Sequence, residues 1–251
     1  MGTTPDAIRA ARDAVLTGGA GYDVVDLSDP LTPDTVSWPG TPPIRAVDEA
    51  THDRDGLSVR VVTVSEHAGT HFDAPYHFDA GGRDPSEIPA DELVVAAHVI
   101  DFTRAPLADG NAALRPQDIE AHEAANGRIP AGVAVLLRTG WSARRRDRLA
   151  YAGSADADHL VFPGFGVDAA RALVERGVVG LGVDTLGIDP GSARDFPIHR
   201  EVSHPNGLWH LENLVHLDRL PAVGALIVVG VPRIAGASGF PTRVIALVPR
   251  A

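Results

Sequence analysis

The sequence predicts a mixed α/β domain with a barrel-like β core and helices on one side. Three observations carry that reading. Seven or eight apolar runs have strand length, only two or three segments have a helical pattern, and late in the chain a helix feeds directly into a buried run. The 26 glycines and 20 prolines supply the tight connections that so many short elements need.

In chain order, residues 5–16 read as a short helix, with Pro5 near the start and Gly18-Gly19 beyond the end. Residues 22–28, "YDVVDLS", read as a strand, and the proline-rich stretch 29–43 as loop. Residues 57–67 read as a strand on the valines at 59, 61, 62 and 64, and 92–102 as a more continuous, buried one. Residues 115–127 have proline at a helix start and glycine at its end. Residues 133–139 are a strand. Residues 166–177 form an amphipathic helix leading into the apolar strand 178–185, and 207–213, 224–231 and 242–248 complete the strands. We divide the chain into an N-terminal helical arm, 1–20, and one domain, 21–251.

At 251 residues with 44% hydrophobic composition, the chain is long enough for a full core. The net charge of −11 argues against a broad nucleic-acid footprint, and "RRRDR" at 144–148 reads as a solvated loop face. The absence of cysteine removes disulfides, thiolate metal sites and a cysteine nucleophile, so any metal rests on His, Asp, Glu or water. The first residues lack the basic and apolar regions of a secretion signal, and no apolar run approaches 18 residues; the reading is cytoplasmic, with no membrane partner.

The chemistry concentrates in "HAGTHFDAPYHF", 67–78. His67, His71, Asp73 and His77 occupy odd positions; Ala68, Phe72, Ala74, Tyr76 and Phe78 occupy even ones. The His67-x3-His71 spacing would suit one helix face, but Gly69, Thr70 and Pro75 make a poor helix. Period-two parity suits extended chain, one face toward a metal and the other toward a core. In a straight strand the two histidine Cα atoms would lie about 13 Å apart at ~3.3 Å per residue, a span that one ion bridges only at full stretch. The chain should therefore bend at Gly69. His52, His98, His122 and His159 lack ligand-like neighbours and read as structural or surface. His199, His204, His210 and His216 crowd into a later segment with Glu201 and Glu212, which suggests a second contribution to the site.

The stretch 67–77 resembles the H-x-G-T-H-x-D-x-P-x-H signature of the metal-dependent cyclase family, which includes bacterial kynurenine formamidases and isatin hydrolases. Segments at 26–40, 136–141, 182–191, 196–214 and 239–247 are similar to family segments in the family's order. The resemblance implies a swivelling β/β/α-type single domain and a homo-oligomer built from dimers. It implies that His67, His71 and Asp73 bind a metal and that His77 is the acid/base. His199 and Glu212 match the positions that hold a second ion in formamidase-like members, with Asp73 bridging. Those members separate the later pair by twelve residues; here the separation is thirteen. We place the extra residue in the turn around Pro205, Asn206 and Gly207, which would keep Glu212 and His210 facing the site with Trp209 on the other face.

The expected activity is hydrolysis of an amide, lactam or ester bond in a small aromatic substrate, with one tightly held Zn or Mn ion and His199 and Glu212 near it. Trp38, Tyr76, Trp209 and Asp184 are the candidate substrate contacts. Two rivals are a metal-dependent cyclase or dehydratase acting on a carbonyl substrate, and a metal-dependent binding protein that needs His67, His71 and Asp73 but not His77.

Overall fold

The computed structural model describes residues 21–105 and 109–250, so the expected N-terminal arm and its helix lie outside the described residues. The strands are β1 (Tyr22–Asp26), β2 (Arg45–Ala50), β3 (Val59–Thr63), β4 (His71–Asp73), β5 (Val94–Asp101), β6 (Ala113–Leu114), β7 (Ala134–Arg138), β8 (Gly164–Phe165), β9 (Gly180–Val183), β10 (Trp209–Glu212), β11 (Ala225–Gly230), β12 (Gly239–Pro241) and β13 (Arg243–Pro249). Nine of them form one sheet, ordered β1-β13-β11-β5-β7-β9-β10-β4-β12. The central run β5-β7-β9-β10 is parallel; the strands on both sides of it are antiparallel.

The parallel centre follows from three crossovers. Helix α1 (Pro116–Asn126) lies between β5 and β7, helix α2 (Val167–Glu175) between β7 and β9, and a π-helix, Ile198–Ser203, between β9 and β10. Proline opens α1, where its missing N–H costs nothing, and Gly127 closes it. With helices on one face and the curl of the half-barrel on the other, central strands are buried on both sides. β7 shows this directly. Ala134 and Leu136 enter the core inside the curl, with Phe72, Trp209, Leu211, Ile227 and Val244. Val135 and Leu137 enter the core under the helices, with Ile119, Leu173, Leu181, Ile198 and Val202.

β10 lies beside β9 because Gly180 has no side chain: a Cβ there would strike the Trp209 ring. Trp209 is fully buried and packs on Phe72 at 5.8 Å between ring centroids. Burial of side chains this large contributes roughly 1.5–3 kcal/mol each. The sequence reading covers the long strands and both long helices but does not resolve β2, β6, β8 or β12. The hairpin β2–β3 stands apart from the sheet, and nearly every residue in it is exposed.

Candidate active site

Two neighbouring strands build the floor of the site. β4 and β10 run antiparallel, with His210 opposite Asp73, Leu211 opposite Phe72 and Glu212 opposite His71. Strand alternation sends Phe72, Trp209 and Leu211 to the core and leaves His71, Asp73, His210 and Glu212 together on the other face, all buried. The extended chain expected over 67–77 is confined to His71–Asp73. It bends at Gly69, which has φ +60°, and after Ala74 it turns through a 3₁₀ segment, Pro75–His77. Between His199 and β10 the π-helix, Ile198–Ser203, runs into a 3₁₀ turn, His204–Asn206, and Glu212 faces into the site as expected.

Hydrogen bonds fix which ring nitrogen of each histidine faces inward. His71 Nδ1 donates to the Gly69 carbonyl at 2.8 Å, which leaves Nε2 bare, 3.2 Å from Asp73 Oδ1 and 3.5 Å from Glu212 Oε2. His199 Nδ1 donates to Asp189 at 2.6 Å, leaving Nε2 3.6 Å from Asp73 Oδ2 and 3.4 Å from Glu212 Oε1. The Ser238 hydroxyl gives its proton to Glu66, so it accepts from His67 Nε2 at 2.8 Å. His67 Nδ1 then points at Asp73 Oδ1, 2.7 Å away. Lone pairs and carboxylate oxygens thus converge on the same space, an acceptor-only set that only positive charge satisfies.

The electrostatics agree. Burial alone would depress the His71 pKa, but Asp73 and Glu212 hold it up at about 9. His199 is likewise raised well above its usual range: burial opposes the shift, and the carboxylates of Asp189, Asp73 and Glu212, which favour the protonated ring, overcome it. Burial would lift Asp73, yet His71 and His67 keep it well below the carboxylate range. The site draws in protons where a divalent cation would serve the same charges. Its donors, imidazole nitrogen and carboxylate oxygen, suit a zinc-like or manganese-like ion.

Above this floor is a cavity of about 280 Å³, near the lower end of small-molecule sites. His77 lines it, its ring stacked on His67 at 3.9 Å and 24°. Burial pushes the His77 pKa down to about 3, with Asp73 pulling it up and the surrounding histidines pushing it further down, so the ring is neutral at pH 7. Trp38, Phe196 and Phe78 make an aromatic wall, with centroids 5.4 Å apart for the first pair and 5.5 Å for the second. Phe196 and Asn213, both lining the cavity, hold positive φ (+50° and +56°), backbone strain of the kind that gathers at functional sites.

Three expected substrate contacts lie elsewhere. Trp209 has its ring in the core, because it alternates with His210 and Glu212. Tyr76 follows the proline turn outward and is 41% exposed, outside the cavity. Asp184 is buried, and its carboxylate accepts from the Thr139 and Gly140 backbone N–H groups and from the Thr139 and Ser142 hydroxyls; it braces the β7 turn. The other strand-end carboxylate, Asp189, orients His199. Trp38 does line the cavity. Ser203 and Ser238, which hold the outer nitrogens of site histidines, and Glu66, which takes the Ser238 hydroxyl proton, carried no signal in the sequence because they act across loops. His98 and His122 are away from the site and face each other at 3.2 Å between β5 and α1.

Comparison with known proteins places the geometry in context. A family model described as "Putative cyclase" matches residues 25–190. The chain is 34% identical to an isatin hydrolase of Roseibium aggregatum over 91% of this chain and 93% of that one. It is 29% identical to a kynurenine formamidase of Bacillus cereus over 88% and 95%. A solved isatin hydrolase bound to the product analogue thioisatinate superimposes with a TM-score of 0.87 at 30% identity, covering 99% of this chain and 100% of that one.

Proposed function

The chain belongs to the cyclase family of metal-dependent hydrolases, and from that premise we propose that it opens the C–N bond of a small aromatic lactam or aryl amide. The observation that carries this reading is the convergence of His67, His71 and Asp73 on one point at the floor of an aromatic-walled cavity, with His77 on the wall above. His67, His71 and Asp73 form the tight site for a Zn or Mn ion, and His199 and Glu212 lie beside it, where a second ion has room to bind. A divalent ion bound there supplies Lewis acidity, polarising a carbonyl oxygen and acidifying water.

The remaining work falls to the chain. Trp38, Phe196 and Phe78 stack against the substrate ring and keep bulk water from it. His77, whose ring lines the cavity, takes the proton released as water adds to the carbonyl carbon. It returns that proton to the nitrogen as the C–N bond breaks. Asp189 holds the His199 ring so that its bare nitrogen faces the carboxylates.

We extend the reading to a cytoplasmic homodimer of one domain, 21–251. A two-stranded hairpin is marginal in water by itself. β2–β3 nevertheless presents Val47, Val59 and Val61 on one exposed face, and it is rooted beside the cavity residues Thr41 and Ser65. Light scattering tests this: the mass of a single chain would remove the dimer. The activity is tested by turnover of Zn- or Mn-loaded protein on isatin, N-formylkynurenine and simple aryl esters. Chelation should abolish turnover and the metal should restore it; unchanged turnover after verified metal removal would sink the proposal.

A further inference from the structure

The bare nitrogens of His67, His71 and His199 belong to the site already described. A fourth histidine has the same property and no role yet. His210 is fully buried on β10, opposite Asp73. Its Nε2 lies 2.7 Å from the Ser203 hydroxyl. That hydroxyl has one proton and gives it to the Ile198 carbonyl at 2.8 Å. Ser203 is therefore the acceptor and His210 Nε2–H the donor, which fixes the tautomer and leaves Nδ1 as a lone pair. Nδ1 is buried and has no hydrogen-bond partner. It lies 4.0 Å from Asp73 Oδ2, an oxygen that is itself an acceptor.

We propose that His210 binds a divalent cation directly through Nδ1, completing a second ion site with Asp73, His199 and Glu212. The proposal rests on the metal-dependent reading above and goes beyond it, since the sequence puts His210 on the site face without giving it a role.

Three features support the site. First, the carboxylates divide their oxygens between two sets of histidines. Asp73 turns Oδ1 to His67 and His71 and Oδ2 to His199 and His210; Glu212 turns Oε2 to His71 and Oε1 to His199. A carboxylate shared in this way serves two charges, not one. Second, the spacings suit coordination better than hydrogen bonding. Ligand bonds of ~2.0–2.2 Å put two ligand atoms on one ion between about 3.3 and about 4.2 Å apart, depending on the angle. Three of the separations at this set are 3.4, 3.6 and 4.0 Å, and all four ligand atoms lie within 4.8 Å of one another. Third, the ring is held. His204 stacks on His210 at 4.3 Å and 27°, while Ser203 pins the far nitrogen. Two imidazole nitrogens and two carboxylate oxygens make a four-ligand set of the kind zinc accepts.

The test is metal stoichiometry, read without turnover. Protein is stripped, loaded with excess Zn²⁺, desalted and analysed, and Zn²⁺ binding is titrated calorimetrically. Wild type should hold two equivalents per chain. Losing the ring partner of a ligand costs roughly 10- to 100-fold in metal affinity, so His210→Ala, which removes the ligand itself, should weaken the second equivalent by at least about 100-fold. The first equivalent, on His67, His71 and Asp73, should be unchanged, and its retention shows that the variant is folded. His210→Asn, whose side-chain oxygen can reach the Nδ1 position, should recover part of the loss. Ser203→Ala frees the tautomer and should weaken only the second equivalent, by roughly 10- to 100-fold. If His210→Ala loses both equivalents, Ser203→Ala decides, and an unchanged second affinity there overturns the proposal. Two unaltered equivalents in His210→Ala, or a single equivalent in wild type, overturn it while leaving the proposed function standing. A chain that takes up no divalent ion overturns both.

Discussion

His77 differs from the other site histidines in what its ring touches. Those rings each commit one nitrogen to a fixed acceptor and aim the other at a carboxylate; His77 stacks face-on against His67 and lines the cavity instead. Its removal should therefore spare metal binding and harm proton transfer. His77→Ala is expected to lower kcat by roughly 10²–10⁴ with metal content near that of wild type. Metal analysis beside steady-state kinetics checks this, and a variant that loses its ion would make His77 a ligand. Other residues show where single-sequence reasoning stops. Asp184 and Asp189 both follow β9, and nothing in their spacing says that one braces a turn while the other aligns a histidine. Trp209 was decidable. Its parity against His210 and Glu212 puts it in the core, and only its closeness to the motif argued for a substrate contact.

At the scale of elements, the long strands and both helices were legible because their periodicity runs for several residues. β4 was legible in its alternation but not in its pairing. It has three residues, and its pairing with β10 and β12 is set by partners 137 or more positions away. The register His71–Glu212 and Asp73–His210, which assembles the site, is long-range information that no window contains. The helices also have a contact across sequence that acid can probe. Arg176, just past α2, makes paired 2.8 Å bonds to Glu123 of α1, and both side chains are largely covered. Arg176 foremost, with the Ile129 N–H, depresses the Glu123 pKa from 4.5 to about 2 against the opposing effect of burial. Because the folded value is the lower one, the stabilisation is fully present above pH 4.5 and is lost as pH falls toward 2. Glu123→Gln should cost about 1.5–3 kcal/mol at pH 7, the range for hydrogen bonds to charged groups. In urea unfolding, the gap from wild type should narrow below pH 4.5; a gap independent of pH would show that packing rather than charge joins the helices.

At the scale of the molecule, the fold stability and the proposed chemistry meet at one place. The site joins β4 and β10 to the π-helix through His199 and, across loops, to Ser238 and Glu66. Without an ion, this buried set of acceptors has only protons to neutralise it. The elevated pKa of His71, about 9, marks that demand for positive charge. A ligand that binds the folded chain alone stabilises it by about 2.7 kcal/mol at 100 times its Kd and about 4.1 kcal/mol at 1,000 times. For a chain near this size, each kcal/mol moves Tm by about 2–4 °C. Removal of the ion is therefore expected to lower Tm by roughly 5–16 °C, reversibly, with Zn²⁺ or Mn²⁺ restoring it. Calorimetry of stripped and reloaded protein, with metal content measured on both, reads the shift. Superimposable melting curves would mean that the buried acceptors are neutralised some other way, and the metal reading of the site would fall with them.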